Sequence, residues 1–304
     1  WAKETEEQGS WPTSTPHNDP LHFQGDRKVM PQNNNPYVEA FWKWWPELYP
    51  QLRHFRMTGG EPMMDKNTFK VFEYVIDNPK KDLHLNVTSN FCPPAPALGD
   101  RYFNMVKTMC DGAMIEHFMQ FVSLDAWGEK AEYIRNGMDF STVWANVHRY
   151  LHDIKGYNSI TFIITMNNLS VSSLKELLQN ILRLREQYST TYQRVWFDTP
   201  ILRFPIWQHI GLLDESFNHY FEEAIEFMEQ HRHDSDMAGF RDFEIAKLTR
   251  TYRIMQQGLD NKEQHLADFW RFFRTHDSRR ETDLLGVFPE YKEWFKKCQK
   301  ATKI

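Results

Sequence analysis

The stretch HFRMTGGEPMMDKNTFKVFEYVIDN, residues 54–78, decides the fold. Its first five residues, His54 to Thr58, form a strand-like run that the adjacent glycines Gly59 and Gly60 interrupt. Phe69, Phe72 and Ile76 then recur at helical spacing behind Asp65, a residue suited to cap a helix N-terminus. Strand, glycine turn and helix make one strand–helix unit. Further strand-like runs begin near Leu83 (LHLNVTSN), His117 (HFMQFVSLD), Ser159 (SITFIITMN) and Arg194 (RVWFDTP). Between them, Phe140, Val143, Trp144, Val147 and Leu151 follow Asp139, while Leu174, Leu177, Leu178, Ile181 and Leu182 follow a Ser173–Glu176 capping box. Strands alternating with helices predict an α/β fold, a parallel sheet with helices outside, either open or curled into a barrel.

The flanks read differently. Gly9 to Asn35 is rich in Pro, Ser, Asn, Asp and Gly without apolar periodicity, which predicts an irregular segment. A short helix should follow it, with Phe41, Trp44, Trp45 and Leu48 on one face before Pro50 stops it. Beyond Asp214 apolar residues keep helical spacing: Phe217, Phe221, Ile225 and Met228; Leu248, Tyr252 and Met255; Leu266, Phe269, Trp270 and Phe273; Tyr291, Trp294, Phe295 and Cys298. The chain thus divides into an N-terminal segment (1–50), a strand–helix region (51–205) and a helical C-terminal region (206–304) whose aromatic residues are expected to pack as core.

Composition narrows the function. The 304 residues carry 36 Lys and Arg against 41 Asp and Glu, a net charge of −5, which argues against a nucleic-acid partner. No apolar run is long enough for a membrane span and no signal-peptide pattern opens the chain, so a cytoplasmic location is expected. The three cysteines, Cys92, Cys110 and Cys298, form no CxxC pair and cannot by themselves build a thiolate metal site. Trp1 stands where an initiator methionine would, so the chain is expected to begin partway into a longer protein.

In a parallel α/β sheet ligands bind at the carboxyl ends of the strands. Here those ends are polar: Thr58-Gly59-Gly60-Glu61-Pro62, Thr88-Ser89-Asn90, Ser123-Leu124-Asp125, Thr165-Met166-Asn167-Asn168 and Asp198-Thr199-Pro200. Paired glycines let a backbone approach a ligand closely, and the carboxylate of Glu61 suits an ammonium group. The same residues also suit a plain strand-to-helix turn. Two other constellations read as structural: His231, His233, Asp234 and Asp236 only echo a metal-hydrolase HxHxDH motif, and Arg271, Arg274, Arg279 and Arg280 read as a solvated face neutralised by Asp277, Glu281 and Asp283.

Taken in order, TGGEP, NVTSN, FVSLDA with AEYIRNG, ITMNN and WFDTPIL resemble the strand ends of the radical S-adenosylmethionine superfamily. RRETDLLGVFPEYKEW resembles a late motif of its twitch-domain branch. The resemblance implies a partial (β/α)6 TIM-like barrel without its first strand, and an enzyme that cleaves S-adenosylmethionine reductively to a 5′-deoxyadenosyl radical. Gly59, Gly60, Glu61 and Pro62 would hold the methionine ammonium, Ser123 and Arg135 the ribose and methionine carboxylate, and Asn90 and Asn167 would line the same cavity. The implied cofactors are S-adenosylmethionine and a 4Fe–4S cluster, and the implied partners are an external electron donor and a peptide or small-molecule substrate. Such a cluster needs three cysteines, usually CxxxCxxC. No such run exists here, so the expectation is that the motif and the first strand precede Trp1, where the branch has a segment similar to WAKETEEQ. A barrel that binds S-adenosylmethionine, a related small molecule or a partner protein without a cluster or radical chemistry is the competing expectation, and a ligand-free structural scaffold a third.

Overall fold

The structure, a computed structural model, describes Glu4 and residues 7–14, 35–189, 191–232 and 237–303. Residues 15–34 of the irregular segment lie outside the described residues, as do His233, Asp234 and Asp236 of the HxHxDH-like stretch.

Helix α1 (Pro36–Leu48) starts where Asn35 accepts a hydrogen bond from the Tyr37 amide and Pro36 fills the first turn. Its buried face runs through Phe41, Trp42 and Trp45, because Phe55 and Tyr74 meet it from that side. Trp44, expected on this face, is instead 55% exposed, against 1% for Trp45. Strand β1 (His54–Met57) leads through a 3₁₀ turn at Pro62–Met64 into α2 (Lys66–Asp77), whose cap is the Asp65 side chain on the Asn67 amide. There follow β2 (Lys80–Ser89), α3 (Pro96–Asp111), β3 (Ile115–Ser123), the short α4 (Glu129–Ile134) and α5 (Phe140–Asp153), capped by Asp139. Strand β4 (Asn158–Ile163), α6 (Leu174–Tyr188) and β5 (Val195–Asp198) complete the strand–helix region. The capping box expected at Ser173 is absent: its hydroxyl accepts from the Trp127 amide instead, tying α6 to the loop after β3.

The five strands are all parallel and lie in chain order, β1-β2-β3-β4-β5. Register separates two unlike faces. Leu85, Val87, Phe118, Val122, Ile160, Phe162, Val195 and Phe197 share one face, which is buried under the helices. Phe72 of α2 meets Phe118, Tyr102 of α3 bonds Gln120 at 2.6 Å, and Trp144 of α5 stacks on Phe162. The other face carries His54 and Arg56, which are exposed, Asn86, Thr88, Met119, Phe121 and Ser123, which are partly exposed, and His117, Ser159 and Thr161, which are buried. A sheet whose right-handed crossovers all run one way stacks every helix on the same side. The opposite face is therefore left with a mainly polar set of side chains around Met119 and Phe121.

The C-terminal region consists of α7 (Asn218–Gln230), α8 (Asp242–Gln257), α9 (Lys262–Arg280), α10 (Leu284–Val287) and α11 (Lys292–Ala301), as the apolar spacing predicts. Its aromatic residues pack as core: Phe269 of α9 lies 4.6 Å from Trp294 of α11, and Phe221, Phe240 and Tyr291 are fully buried. Arg185 of α6 and Glu244 of α8, both buried, pair at 2.6 Å and fasten this region to the strand–helix region. Trp207 and Phe272, 4.1 Å apart, set α9 across the carboxyl ends of the strands.

Candidate functional site

The glycine turn after β1 has the backbone its sequence requires. Gly59 and Gly60 have φ of +88° and +57°, both left-handed, and nothing lies within 4 Å of where a Cβ would stand on either. Their peptide groups border open space. Glu61 turns the other way. Its Oε1 accepts from the Met63 amide (3.1 Å) and the Ser89 hydroxyl (2.6 Å), and its Oε2 accepts from the Asn90 amide (2.9 Å). The carboxylate thereby clips the end of β1 to the end of β2. Pro62 is buried in the 3₁₀ turn and has no polar role.

A cavity of about 610 Å³ opens beside this clip. Its floor is polar, formed by Asn90, Asp125, Arg135, Thr165 and Asn167 from the ends of β2, β3 and β4 and the end of α4. Asp125, 5% exposed, accepts from the Thr165 amide at 2.8 Å and pairs with an Arg135 Nη2 at 2.8 Å. The Arg135 Nε–H is buried and has no acceptor among the described residues, while the side chain as a whole, 29% exposed, lines the cavity. Asn167 closes an Asx turn, accepting from the Leu169 amide, and donates to the Thr165 carbonyl.

The opposite wall comes from α9, through Phe272, Phe273, His276 and Arg280. Asp277 holds this wall to α4. Its Oδ1 accepts from the Tyr133 hydroxyl (2.7 Å) and from Thr282 (2.8 Å), and its Oδ2 accepts from the Leu284 amide (3.0 Å). Burial pulls the Asp277 pKa upward, but hydrogen bonds from His276, Leu284, Tyr133 and Thr282 outweigh it and leave the carboxyl below its ordinary range. Burial and the facing Asp277 charge push the Tyr133 phenol well above its ordinary value. Glu290 pairs with Lys130 of α4 at 2.6 Å, and Phe288 packs edge-on to Tyr133. The stretch RRETDLLGVFPE therefore orients α4, which ends at Arg135.

Of the residues expected at the site, Asn90, Arg135 and Asn167 meet in the cavity wall, and Glu61 is bonded to Asn90. Gly59, Gly60 and Pro62 stand beside the cavity rather than in its wall. Ser123 ends β3 on the polar face of the sheet, also outside the wall. Asp125, named in the polar strand end Ser123-Leu124-Asp125 but given no role, belongs to the site, and His276 and Arg280 were missed, since nothing local marks those two. The solvated-face reading suits the exposed Arg274 but fails for its neighbours: Arg280 lines the cavity, and Arg279 donates to backbone carbonyls.

The cysteines do not suit a cluster. Cys92 is half-buried beside Asp139, while Cys110 and Cys298 are buried and distant in sequence; burial pushes the Cys110 thiol up to about 12 and that of Cys298 higher still. A cluster needs thiolates, and burial disfavours that form. No group of three metal-binding side chains forms among the described residues. The lining of the cavity suits S-adenosylmethionine in its chemistry: the partly exposed Arg135 guanidinium matches a carboxylate, Asn90 and Asn167 are polar, and Tyr133, Met138 and Leu169 make an apolar wall for a nucleoside. No family profile, no curated protein and no solved structure matches the chain. No helix among the described residues is long and apolar enough to cross a membrane.

Proposed function

We propose that the chain binds S-adenosylmethionine at the carboxyl ends of its parallel strands and belongs to an enzyme of the radical S-adenosylmethionine type, built on a partial (β/α)6 barrel. The observation that carries the reading is convergence: the Glu61 clip, Asn90 and Asn167, drawn from three strand ends, and Arg135, from the end of α4, gather at one cavity. The mainly polar face of the sheet suits the lumen of such a barrel. In this assignment the open Gly59–Gly60 turn offers carbonyl oxygens to the ammonium group, with the Glu61 carboxylate behind them supplying charge. Arg135, steadied by Asp125, turns the accessible part of its guanidinium to the ligand carboxylate. Exclusion of water falls to Tyr133, Phe272 and Phe273.

The residues of this chain supply binding and orientation; they do not supply cluster ligands. Reductive cleavage, an external electron donor and a cytoplasmic setting belong to the proposal for the enzyme as a whole. The cysteine environment favours a second reading, a barrel that binds S-adenosylmethionine without radical chemistry. Calorimetric titration of the folded chain with S-adenosylmethionine tests the shared claim. Binding lost in Arg135→Gln is expected, and a chain that stays folded without binding refutes both readings. Iron content and 5′-deoxyadenosine formation after anaerobic reconstitution then separate them.

A further inference from the structure

Arg280 has two faces. Its side chain lines the cavity, yet its guanidinium is engaged by Glu4, with Nη2–Oε2 at 2.8 Å and Nε–Oε1 at 3.3 Å. The pair is mostly sheltered, the two side chains being 14% and 17% exposed. Glu4 belongs to the N-terminal strap, whose described residues lie along α9 from Arg280 back to Asp268. The strap has anchors of its own: Arg279 donates to the carbonyls of Gln8, Gly9 and Ser10, Trp11 stacks on Phe272 at 4.4 Å, and Ser14 bonds the fully buried Asp268. Glu4 is thus not needed to hold the strap down. What it does is present a carboxylate to an arginine in a cavity wall, in the two-pronged geometry that suits a ligand carboxylate.

We propose that Arg280 is the carboxylate subsite for a second ligand of this cavity, an apolar carboxylate, and that Glu4 fills the subsite until that ligand displaces it. The side chains beside Arg280 set the ligand class. Phe272, Phe273 and Tyr133 make this part of the wall apolar; Trp11 and Trp207 pack on Phe272 and Phe273 stacks on Tyr133, so the rings turn only their rims to the body that carries the acid group. The exchange is one carboxylate for another at the same fork, so charge is conserved and only the Glu4 end of the strap swings aside. The internal carboxylate competes with the incoming one, which lowers apparent affinity by the fraction of molecules in which Arg280 is free. This inference rests on the proposed function only in taking the cavity as a ligand site.

Phenylacetate is the probe, with benzyl alcohol as the uncharged control, measured by calorimetry on the same chain. Glu4→Gln removes the competitor and is expected to tighten phenylacetate binding at least about fivefold. Arg280→Gln is expected to weaken it tenfold or more, with Arg280→Lys between the two because it keeps the charge and loses the fork. Benzyl alcohol should not respond to either change. Unchanged or weaker binding in Glu4→Gln, binding retained in Arg280→Gln, or no binding by both the parent and Glu4→Gln overturns the proposal. S-adenosylmethionine titrated in parallel keeps the two claims apart: its binding is expected to survive Arg280→Gln, and its failure in the parent chain leaves the phenylacetate comparison intact.

Discussion

Replacing Glu61 by Gln tests what the GGEP turn does. The Glu61 carboxylate takes three hydrogen bonds, from the Met63 amide, the Ser89 hydroxyl and the Asn90 amide. Gln keeps the shape and one acceptor oxygen, which can still serve Met63 and Ser89. Its NH2 group, however, then faces the Asn90 N–H, donor against donor. A hydrogen bond to a charged acceptor is worth about 1.5–3 kcal/mol, and the Ser89 side of the clip, 2% exposed, cannot turn to water for relief. The expected loss is about 2–3 kcal/mol for Glu61→Gln, and somewhat more for Glu61→Ala, which strands all three donors. Urea unfolding read by circular dichroism measures it, with an unchanged m-value showing that the change lies in the native state. A loss below about 0.5 kcal/mol would refute the reasoning, because the clip would then contribute no more than an ordinary surface contact. S-adenosylmethionine titrated well below the melting transition separates the structural role from the ligand role: the variant should fold and bind at least about tenfold more weakly, in keeping with a lost charge–charge contact.

Other outcomes follow from single contacts. Glu244→Gln leaves the buried Arg185 guanidinium without its counter-charge and should cost about 3–5 kcal/mol in urea unfolding, whereas Arg185→Met with Glu244→Leu should restore most of it; a single variant within about 1 kcal/mol of the parent would show that the pair bears no load. Burial, with a smaller contribution from neighbouring His84, lowers the His117 pKa from 6.5 to about 4. Because the unfolded chain binds this proton more readily, stability from His117 is full above about pH 6.5 and is lost as pH falls towards 4. An NMR titration of His117 with a midpoint above 6 would contradict this assignment. Iodoacetamide under native conditions should label Cys92 and spare the buried Cys110 and Cys298, as read by peptide mass spectrometry; equal labelling of all three would overturn the packing described for α3 and α11.

All five strands were legible in the sequence, because each is a short apolar-rich run closed by polar residues at its carboxyl end. So were the helices begun by Asp65 and Asp139, whose caps act within three residues of themselves. Helix α3 escaped notice: Pro93, Pro96 and Gly99 punctuate its start, and its buried set, Tyr102, Phe103, Val106, Met109 and Cys110, becomes periodic only after them. Trp44 and Ser173 were misread because several rotations of a helix face, or several partners for a hydroxyl, satisfy the same local pattern. Tertiary contacts chose between them. The cavity divides on the same line. Asn90 and Asn167 stand at strand ends and could be located one unit at a time, whereas Arg135, at a helix end, was indicated only by the resemblance. His276 and Arg280 reach the site only because α9 folds back over the sheet, and no local spacing encodes that closure.

Strand order has a further consequence, for the act of folding. Each strand pairs with the strand that precedes it in the chain, and none must wait for a partner still to come. A chain emerging from the ribosome can therefore add strands one at a time onto an edge already in place, with every connection closed over only one or two intervening helices. Short closures of this kind are the fast ones. The slow event is left to α9 and the N-terminal strap, whose contact joins Glu4 to Arg280 and can form only after nearly all of the chain has been made. Ordering of the cavity should consequently trail ordering of the sheet, and the site should be the last part of the molecule to become native.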